Sequence, residues 1–580
     1  MPAVRPTTSP PRSAPDPTTD AQVRLTDVLP APVRVEPAAG VEFFLTPGTT
    51  IRTTPAPAAG DVGRYLAELL RRPTGYPLPV VPANPAEAAG GISLLLVEDD
   101  DPAAGTTPPA TRAQPPATDS PRAATEGYRL EVTATAVVIR ARTATGLFHG
   151  VQTLRQLLPA KIESRRRQPG PWRVPGGSIS DHPRFAYRGA MLDVARHFFA
   201  VPHVLRFIDH LARYKLNHLH LHLTDDQGWR IAVDSWPRLA TVGGATEVDG
   251  GPGGHYTKED YRKIVTYAAA RHITVVPEID LPGHTNAALN AYGALAPDGI
   301  APPEYTGTDV GFSAVAVHSD LTYRFVDEVL GEVAALTPGP YLHIGGDEAF
   351  TLSPADYAAF VDRIQPLVTG HGKAVLGWHQ IAAAGHSPGR VVQYWGTGQA
   401  DPAVAAAVAA GARLLLSPGN RTYLDMKYGP ATPLGKDWAG FVEVRTAYDW
   451  DPGAYLSGVP AEAVLGVEAP LWTETVASVS DIEFMIFPRL PAIAELGWSP
   501  ASTHDWADFR ARLAGHGPRW TLAGITFHRS PEVPWPAATP ARRASIPAPR
   551  SAPGEPDGST PSGVPEPAGG TDSAPAAPAG

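Results

Sequence analysis

The chain contains no cysteine, which excludes disulfides, thiolate metal sites and a cysteine nucleophile. It has no apolar run of membrane-spanning length. The nearest, 403–416, is alanine-rich and broken by Gly411 and Arg413, so no membrane span is expected. It has no basic stripe. Lys and Arg number 48 against 58 Asp and Glu, a formal net charge of −10 that is modest for 580 residues, and nucleic-acid binding is not expected. The first residues, MPAVRPTTSPPRSAPDPTTD, put prolines where a signal peptide needs an apolar core, so no export signal is read and the chain as written is expected to be cytoplasmic.

Proline is what the chain has in excess, 65 residues unevenly spread. Residues 1–24, 101–124 and 537–580 are rich in Pro with Thr, Ser, Ala or Gly. Such segments cannot bury enough apolar surface to order themselves. They are read as a disordered N-terminal segment, a long surface loop and a disordered tail. The remainder carries the 43% hydrophobic content of a globular protein and is too long for one ordinary core.

Residues 25–180 read as a small α+β domain. Strands are expected over 41–45 and 92–97, an amphipathic helix over 62–72, a hairpin over 128–133 and 136–141, and a helix from near Gly146. From Phe185 the rhythm changes to short apolar runs alternating with helical patterns. Strands are expected over 188–194, 218–223, 274–279, 341–344, 375–378, 391–395, 414–417 and 464–467, with helices over 201–214, 258–271, 321–336 and 354–368. Eight such units over 184–530 fit a (β/α)₈ TIM barrel. A doubly wound open sheet is the alternative. It would usually show a Gly-rich loop after its first strand, where this chain has Asp-Val-Ala-Arg-His-Phe-Phe.

The most informative stretch is Tyr341-Leu-His-Ile-Gly-Gly-Asp-Glu-Ala-Phe350. Two glycines end a β-rich run and two carboxylates follow, Asp347 and Glu348. A helix N-terminus would also favour acids there. The other strand ends argue for a use. They carry Arg196, Asp225 with Asp226, Asp280 with His284, Trp378, Trp395, Tyr423 with Asp425, and Trp472 with Glu474. A barrel builds its active site at those ends. Carboxylates and an arginine hold hydroxyls, and tryptophan faces stack on sugar rings, so the ring of residues reads as a carbohydrate pocket.

The segments GLFHGVQTLRQLLP, YRGAMLDVARHFF, YKLNHLHLHLTDDQGWR, VPEIDLPGH, HIGGDE, YLDMKY and EAPLWTE together resemble the β-N-acetylhexosaminidases of glycoside hydrolase family 20. The resemblance implies an exo-acting, retaining enzyme on terminal N-acetylglucosamine or N-acetylgalactosamine, with no cofactor or metal and an N-acetylated oligosaccharide as partner. That family cleaves by substrate assistance, the 2-acetamido oxygen attacking the anomeric carbon to give an oxazolinium. By matching positions, Glu348 is implied as general acid and base, Asp347 as the group holding the acetamido N–H, and Tyr423 as the group aiming its oxygen. His284 and Asp225 match the pair supporting the acid, and Glu348 is expected to be the member whose pKa its neighbour raises. Trp378, Trp395 and Trp472 match the acetamido pocket, Arg196, Asp425 and Glu474 the hydroxyl-binding groups, and Trp438 the platform for the leaving-group sugar. Asp193 and Asp226 are read as structural, Trp172 and Trp520 as core. The family's usual export signal is not seen.

Two rival readings are a metal-dependent barrel hydrolase and a catalytically silent sugar-binding protein. His218, His220 and His222 share one strand face, with His343 and Asp225 as further ligand types. Residues two apart climb about 7 Å along a strand, however, so the three histidines cannot all reach one ion. The intact Asp347–Glu348 pair argues against a silent barrel.

Overall fold

In the computed structural model the described residues are 23–83, 90–97 and 125–537. The proline-rich readings over 1–24, 101–124 and 537–580 lie outside them, apart from Val23, Arg24 and Ala537.

Alternation builds the first sheet. In Tyr128–Val132 (β5) every second side chain is buried, and the strand pairs antiparallel with Ala136–Ala141 (β6) as the expected hairpin. Five further strands join them: Arg34–Leu45 (β1), Ile51–Thr53 (β2), Val80–Pro82 (β3), Gly91–Leu96 (β4) and Trp172–Asp181 (β7), in the order β1-β7-β5-β6-β4-β2-β3. β2, β3 and β7 are absent from the sequence expectation. Three-residue strands show no period, and Pro175, Gly176 and Gly177 inside β7 read as a break. The helix Pro57–Thr74 (α1) is longer than expected. It starts on a proline at its first turn and ends on Gly75 in the left-handed conformation, whose N–H donates to Arg71 O at 2.8 Å. It packs with Ala144–Leu157 (α2) against the sheet.

The second sheet is a closed parallel barrel of eight strands: Tyr187–Asp193 (β8), His218–His222 (β9), Thr274–Glu278 (β10), Tyr341–His343 (β11), Ala374–Trp378 (β12), Val391–Tyr394 (β13), Arg413–Leu416 (β14) and Val464–Leu471 (β15). β15 closes on β8 in parallel register, Glu468 opposite Gly189. These strands fall within a residue or two of their expected bounds, except that β15 runs on to Leu471. Its continuation carries Glu468 inside the barrel, a charge that hides the strand pattern. The outer helices Val201–Arg213, Lys258–Ala269, Asp320–Leu336 and Pro354–Gly370 lie where expected.

The barrel interior is layered. An apolar layer of Tyr187, Val276, Leu376, Val391, Leu415 and Leu465 fills one level. Above it, toward the C-terminal strand ends, His220, Glu278, His343, Gln393 and Glu468 are fully buried. His218 stacks on Tyr187, ring centroids 3.8 Å apart, His220 sits between Glu468 and Glu278, and His222 sits between Glu278 and Asp225. The three strand histidines therefore stand at different heights, His220 and His222 on either side of Glu278, as the strand rise requires.

The first sheet docks at the other end of the barrel. Asp181 closes β7 and accepts hydrogen bonds from Tyr128 OH (2.7 Å), Lys215 Nζ (2.9 Å) and Trp498 Nε1 (2.9 Å). Lys215 precedes β9, so this junction lies at the N-terminal ends of the strands and leaves the opposite mouth open. Trp172 and Trp520 are core, as read from the sequence.

Candidate functional site

Glycine decides the shape of the site wall after β11. A Cβ on Gly345 would stand 1.6 Å from Asp280 Oδ1, and the residue has φ +65°, so no L side chain fits. Gly346 N–H donates to Asp280 Oδ1 at 3.1 Å, and Tyr357 OH donates to Gly346 O at 2.6 Å. The chain then turns Asp347 and Glu348 into the mouth. Glu348 has φ +48° and His284 has φ +55°, left-handed values that a non-glycine residue holds only where its surroundings impose them.

The carboxylates meet His284, whose Nε2 lies 3.4 Å from Glu348 Oε2 and 3.7 Å from Asp347 Oδ2. Its Nδ1 donates to Asp225 Oδ1 at 3.1 Å. Asp225 Oδ2 accepts from His222 Nε2 at 2.7 Å and pairs with Arg196 Nη2 at 2.8 Å. His222 Nδ1 donates in turn to Glu278, which also accepts from Trp378 Nε1 at 2.8 Å. One buried relay thus runs from the barrel interior to the two acids at the mouth.

Burial and charge set the protonation states. Burial alone would lower His284, but the charges of Asp225 and Asp347, the hydrogen bond to Asp225 and the nearby Glu348 carboxylate hold it well above its ordinary value. Burial opposes ionisation of Asp225, yet Arg196 and His284 keep its carboxyl far below the usual range. Burial works against a charged His220, and Glu468 and Glu278 still push it up to about 9. Asp347 moves the other way. Burial pushes it up to about 6, with Glu348 adding to the shift against the opposing charge of His284. Asp280 is pushed well above the carboxylate range by burial and by Asp347. The push on Asp347 has a physical reason in its depth: its side chain is 10% exposed and that of Glu348 22%.

The shift of Asp347 has a sign that stability measurements can check. A carboxyl raised from 3.8 to about 6 is bound to its proton more tightly in the folded chain than in the unfolded one. Its contribution to stability is full below pH 3.8 and is lost as pH rises through 6. Asp347→Asn is therefore expected to stabilise the fold well above pH 6 by about 3 kcal/mol, an advantage that should vanish below pH 4. Thermal melts of both proteins across that range measure it. An Asn variant less stable than the parent at neutral pH would show that the carboxylate is held by its surroundings rather than strained by them.

Around the acids the aromatic residues close a box. Trp378 is fully buried, its ring 5.7 Å from that of Trp472. Tyr423 lies 6.4 Å from Trp472 and 5.6 Å from Trp438. Trp395 packs edge-on to Trp438 at 5.7 Å and donates from Nε1 to Gln380. Trp472 carries the Arg196 guanidinium over its ring at 4.7 Å. Burial and the nearby charge of Glu474 push the Asp425 carboxyl well above its ordinary range, and burial and Asp425 push up the Tyr423 phenol. The expected residues thus line one mouth. Two of the Arg196 nitrogens are already engaged, Nη2 by Asp225 and Nη1 by Asp193 at 3.5 Å. Arg196 Nε, His284 Nε2, Asp347 Oδ1, Asp280 Oδ2 and Asp425 Oδ1 are buried polar atoms without a hydrogen-bond partner, a concentration that a folded interior normally avoids.

Asp193 and Asp226 are structural, as read. Asp193 accepts from the N–H groups of Ala195, Arg196 and Thr473, and Asp226 from Asn286 N and Ser313 Oγ. Glu278 and Glu468 were not singled out from the sequence, while Asp280 entered only as one of the strand-end residues and His222 only in the metal reading. The available signal was a carboxylate inside an otherwise apolar strand, VVPE and VLGVEAP.

Comparison with known proteins gives a consistent result. Residues 185–501 match the model of the glycosyl hydrolase family 20 catalytic domain, and residues 25–182 that of domain 2 of the same family. A β-N-acetylhexosaminidase of Cellulomonas fimi is 44% identical over 512 residues, covering 88% of this chain and 97% of that protein. The solved family 20 β-N-acetylhexosaminidase of Streptomyces coelicolor A3(2) is 58% identical with a TM-score of 0.82, covering 89% of this chain and 99% of its own. A Streptomyces plicatus β-hexosaminidase mutant solved in complex with product (GlcNAc) is 56% identical with a TM-score of 0.83, over 89% of this chain and 98% of the other.

Proposed function

The chain belongs to glycosyl hydrolase family 20 and is an enzyme, a β-N-acetylhexosaminidase; on that premise we propose that it removes single N-acetylhexosamine residues from non-reducing ends, with retention, using the substrate's own acetamide as nucleophile. The observation that carries this reading is Asp347, a buried carboxylate whose Oδ1 has no hydrogen-bond partner, beside the more exposed Glu348. A buried acceptor of this kind suits an amide N–H and the positive charge that gathers on an oxazolinium nitrogen.

In this mechanism the terminal sugar enters the box of Trp378, Trp395 and Trp472 with its acetamido methyl against the rings. Asp347, ionised, accepts the acetamido N–H. Tyr423, held neutral, donates to the carbonyl oxygen and aims it at the anomeric carbon. Glu348 protonates the leaving oxygen, and the imidazolium of His284, backed by Asp225, stabilises the carboxylate that results. Water then enters from the leaving-group side, loses its proton to Glu348, and opens the oxazolinium with net retention. Asp425, whose carboxyl burial and Glu474 push well above its ordinary range, hydrogen-bonds a ring hydroxyl. Arg196 Nε and Glu474 complete the hydroxyl contacts. Both N-acetylglucosamine and its C4 epimer satisfy this scheme.

Early-time NMR of the released sugar tests the proposal. The β-anomer should appear first, and a thiazoline mimic of the oxazolinium should bind more tightly than product, since it resembles the high-energy species. An α-anomer first, or a sugar trapped covalently on any carboxylate of the site, would overturn it.

A further inference from the structure

Two fully buried arginines are held in opposite ways. Arg188 is neutralised by the Glu126 carboxylate. Arg489, which opens the helix Arg489–Trp498 packed on β15 and β8, has no carboxylate in ion-pair contact among the described residues, and its hydrogen bonds go to backbone carbonyls. Nη2 donates to Leu424 O at 2.6 Å and to Met485 O at 2.7 Å, and Nη1 to Met426 O at 2.6 Å and to Val442 O at 2.9 Å. The Tyr428 ring lies 3.8 Å beneath the guanidinium. A buried charge without a counter-ion is costly unless its surroundings solvate it, so the converging carbonyls and the ring take the place of an acid.

The clamp holds the loop after β14. Residues 423–443 contain no helix or strand, so the carbonyls of this loop lack the regular partners of a ladder. Leu424 and Met426 stand on either side of Asp425, and Tyr423 comes just before. Val442 lies on the returning limb, where its N–H donates to Lys427 O at 2.9 Å. Met485 belongs to the helix Val479–Ile486. One planar group therefore ties the outgoing limb, the returning limb and a neighbouring helix together. Arg230 repeats the arrangement at another strand end. It is also fully buried, and it donates to Val194 O at 3.0 Å and Ala195 O at 2.6 Å, the two residues before Arg196.

We propose that Arg489 is a positioning residue for the reaction: it fixes the backbone on either side of Asp425 so that the Tyr423 hydroxyl meets the acetamido oxygen at a set position. This rests on the role proposed for Tyr423 above. A group that aims a nucleophile must be placed to a fraction of an ångström, and a misplacement of about 1 Å can cost about 10²-fold in rate. Ring packing against Trp438 and Trp472 at 5.6 and 6.4 Å bounds the tyrosine sideways. Its place along the loop is set by the backbone, where the Leu424 N–H donates to Pro470 O at 2.7 Å on one side and Arg489 holds the carbonyls on the other.

The test is a double-mutant cycle. Arg489→Lys keeps the charge and loses the planar fork, since an ammonium has only three donors and no fixed plane. On an aryl N-acetylglucosaminide, at a temperature where circular dichroism shows the variant folded, kcat should fall by about 10- to 100-fold with KM little changed. In a Tyr423→Phe background the same substitution should cost at least about fivefold less, because the hydroxyl it positions is gone. Tyr428→Leu removes the ring beneath the guanidinium and leaves the four acceptors in place. It perturbs the clamp more mildly, should show the same non-additivity with a smaller loss, and decides the matter if Arg489→Lys does not fold. A lowered Tm with kcat unchanged would overturn the positioning role, and so would losses that simply multiply in the double variants. Failure of the underlying mechanism would look different: Tyr423→Phe alone would leave kcat untouched, and the clamp would have nothing to position.

Discussion

Glu348→Gln is expected to slow the release of N-acetylglucosamine from oligosaccharides by about 10²–10⁴-fold, the usual contribution of a positioned general acid. Glutamine keeps the size of the side chain and can remain beside His284 Nε2, which lies 3.4 Å from Glu348 Oε2. It cannot give a proton to the leaving oxygen or take one from water. A nitrophenyl leaving group needs little protonation, so on that substrate the first step should suffer much less and the loss should come mainly from the second. Side-by-side kcat/KM on the disaccharide and the aryl glycoside measures the difference. Equal losses on both would remove Glu348 from the acid role. They would leave the buried relay of His284, Asp225 and His222 as support for something other than proton transfer.

A plain glucoside should be cleaved at least about 10³-fold more slowly than the N-acetylglucosaminide. In the proposed mechanism, replacing the acetamide by hydroxyl removes an internal nucleophile already held in place, and oriented intramolecular groups are worth far more than this factor in favourable cases. It also leaves Asp347 Oδ1 and the Tyr423 hydroxyl without their ligand atoms and the tryptophan box without its methyl group. The comparison uses matched aryl glycosides at equal pH and reads kcat/KM. A ratio near unity would mean that an enzyme carboxylate or a water attacks directly, and the assignments of Asp347 and Tyr423 would fall together. The pH profile adds a check on the same residue. In the proposed mechanism Asp347 is ionised to offset the oxazolinium, and its pKa is pushed up to about 6, so kcat/KM should rise with pH through that value.

Much of this molecule was legible in one dimension. The barrel strands were readable because each is a short apolar run closed by polar or aromatic residues. The helices between them show the 3.6-residue period. The N-terminal sheet was only partly readable. β2 and β3 are too short to have a period, and β7 crosses Pro175, Gly176 and Gly177 in pairing with β1 and β5. Their pairing comes from neighbours far away in the chain. The residues around the mouth were named from strand ends and family motifs together. Glu278 and Glu468 were passed over because a lone acid in a strand carries no local mark of its partners.

The sequence by itself determined which residue types stand at each strand end, where the two glycines let the wall turn, and the order in which eight repeats wind. Those are local properties of residue size, period and backbone freedom. Only the tertiary structure decided which acid of the adjacent pair is buried, and so which one burial pushes up. It alone joined Glu278, His222, Asp225 and His284 into one relay, from positions scattered between 222 and 284. Burial and charge pairing are sums over neighbours in space, and barrel closure chooses those neighbours after the local pattern has been spent.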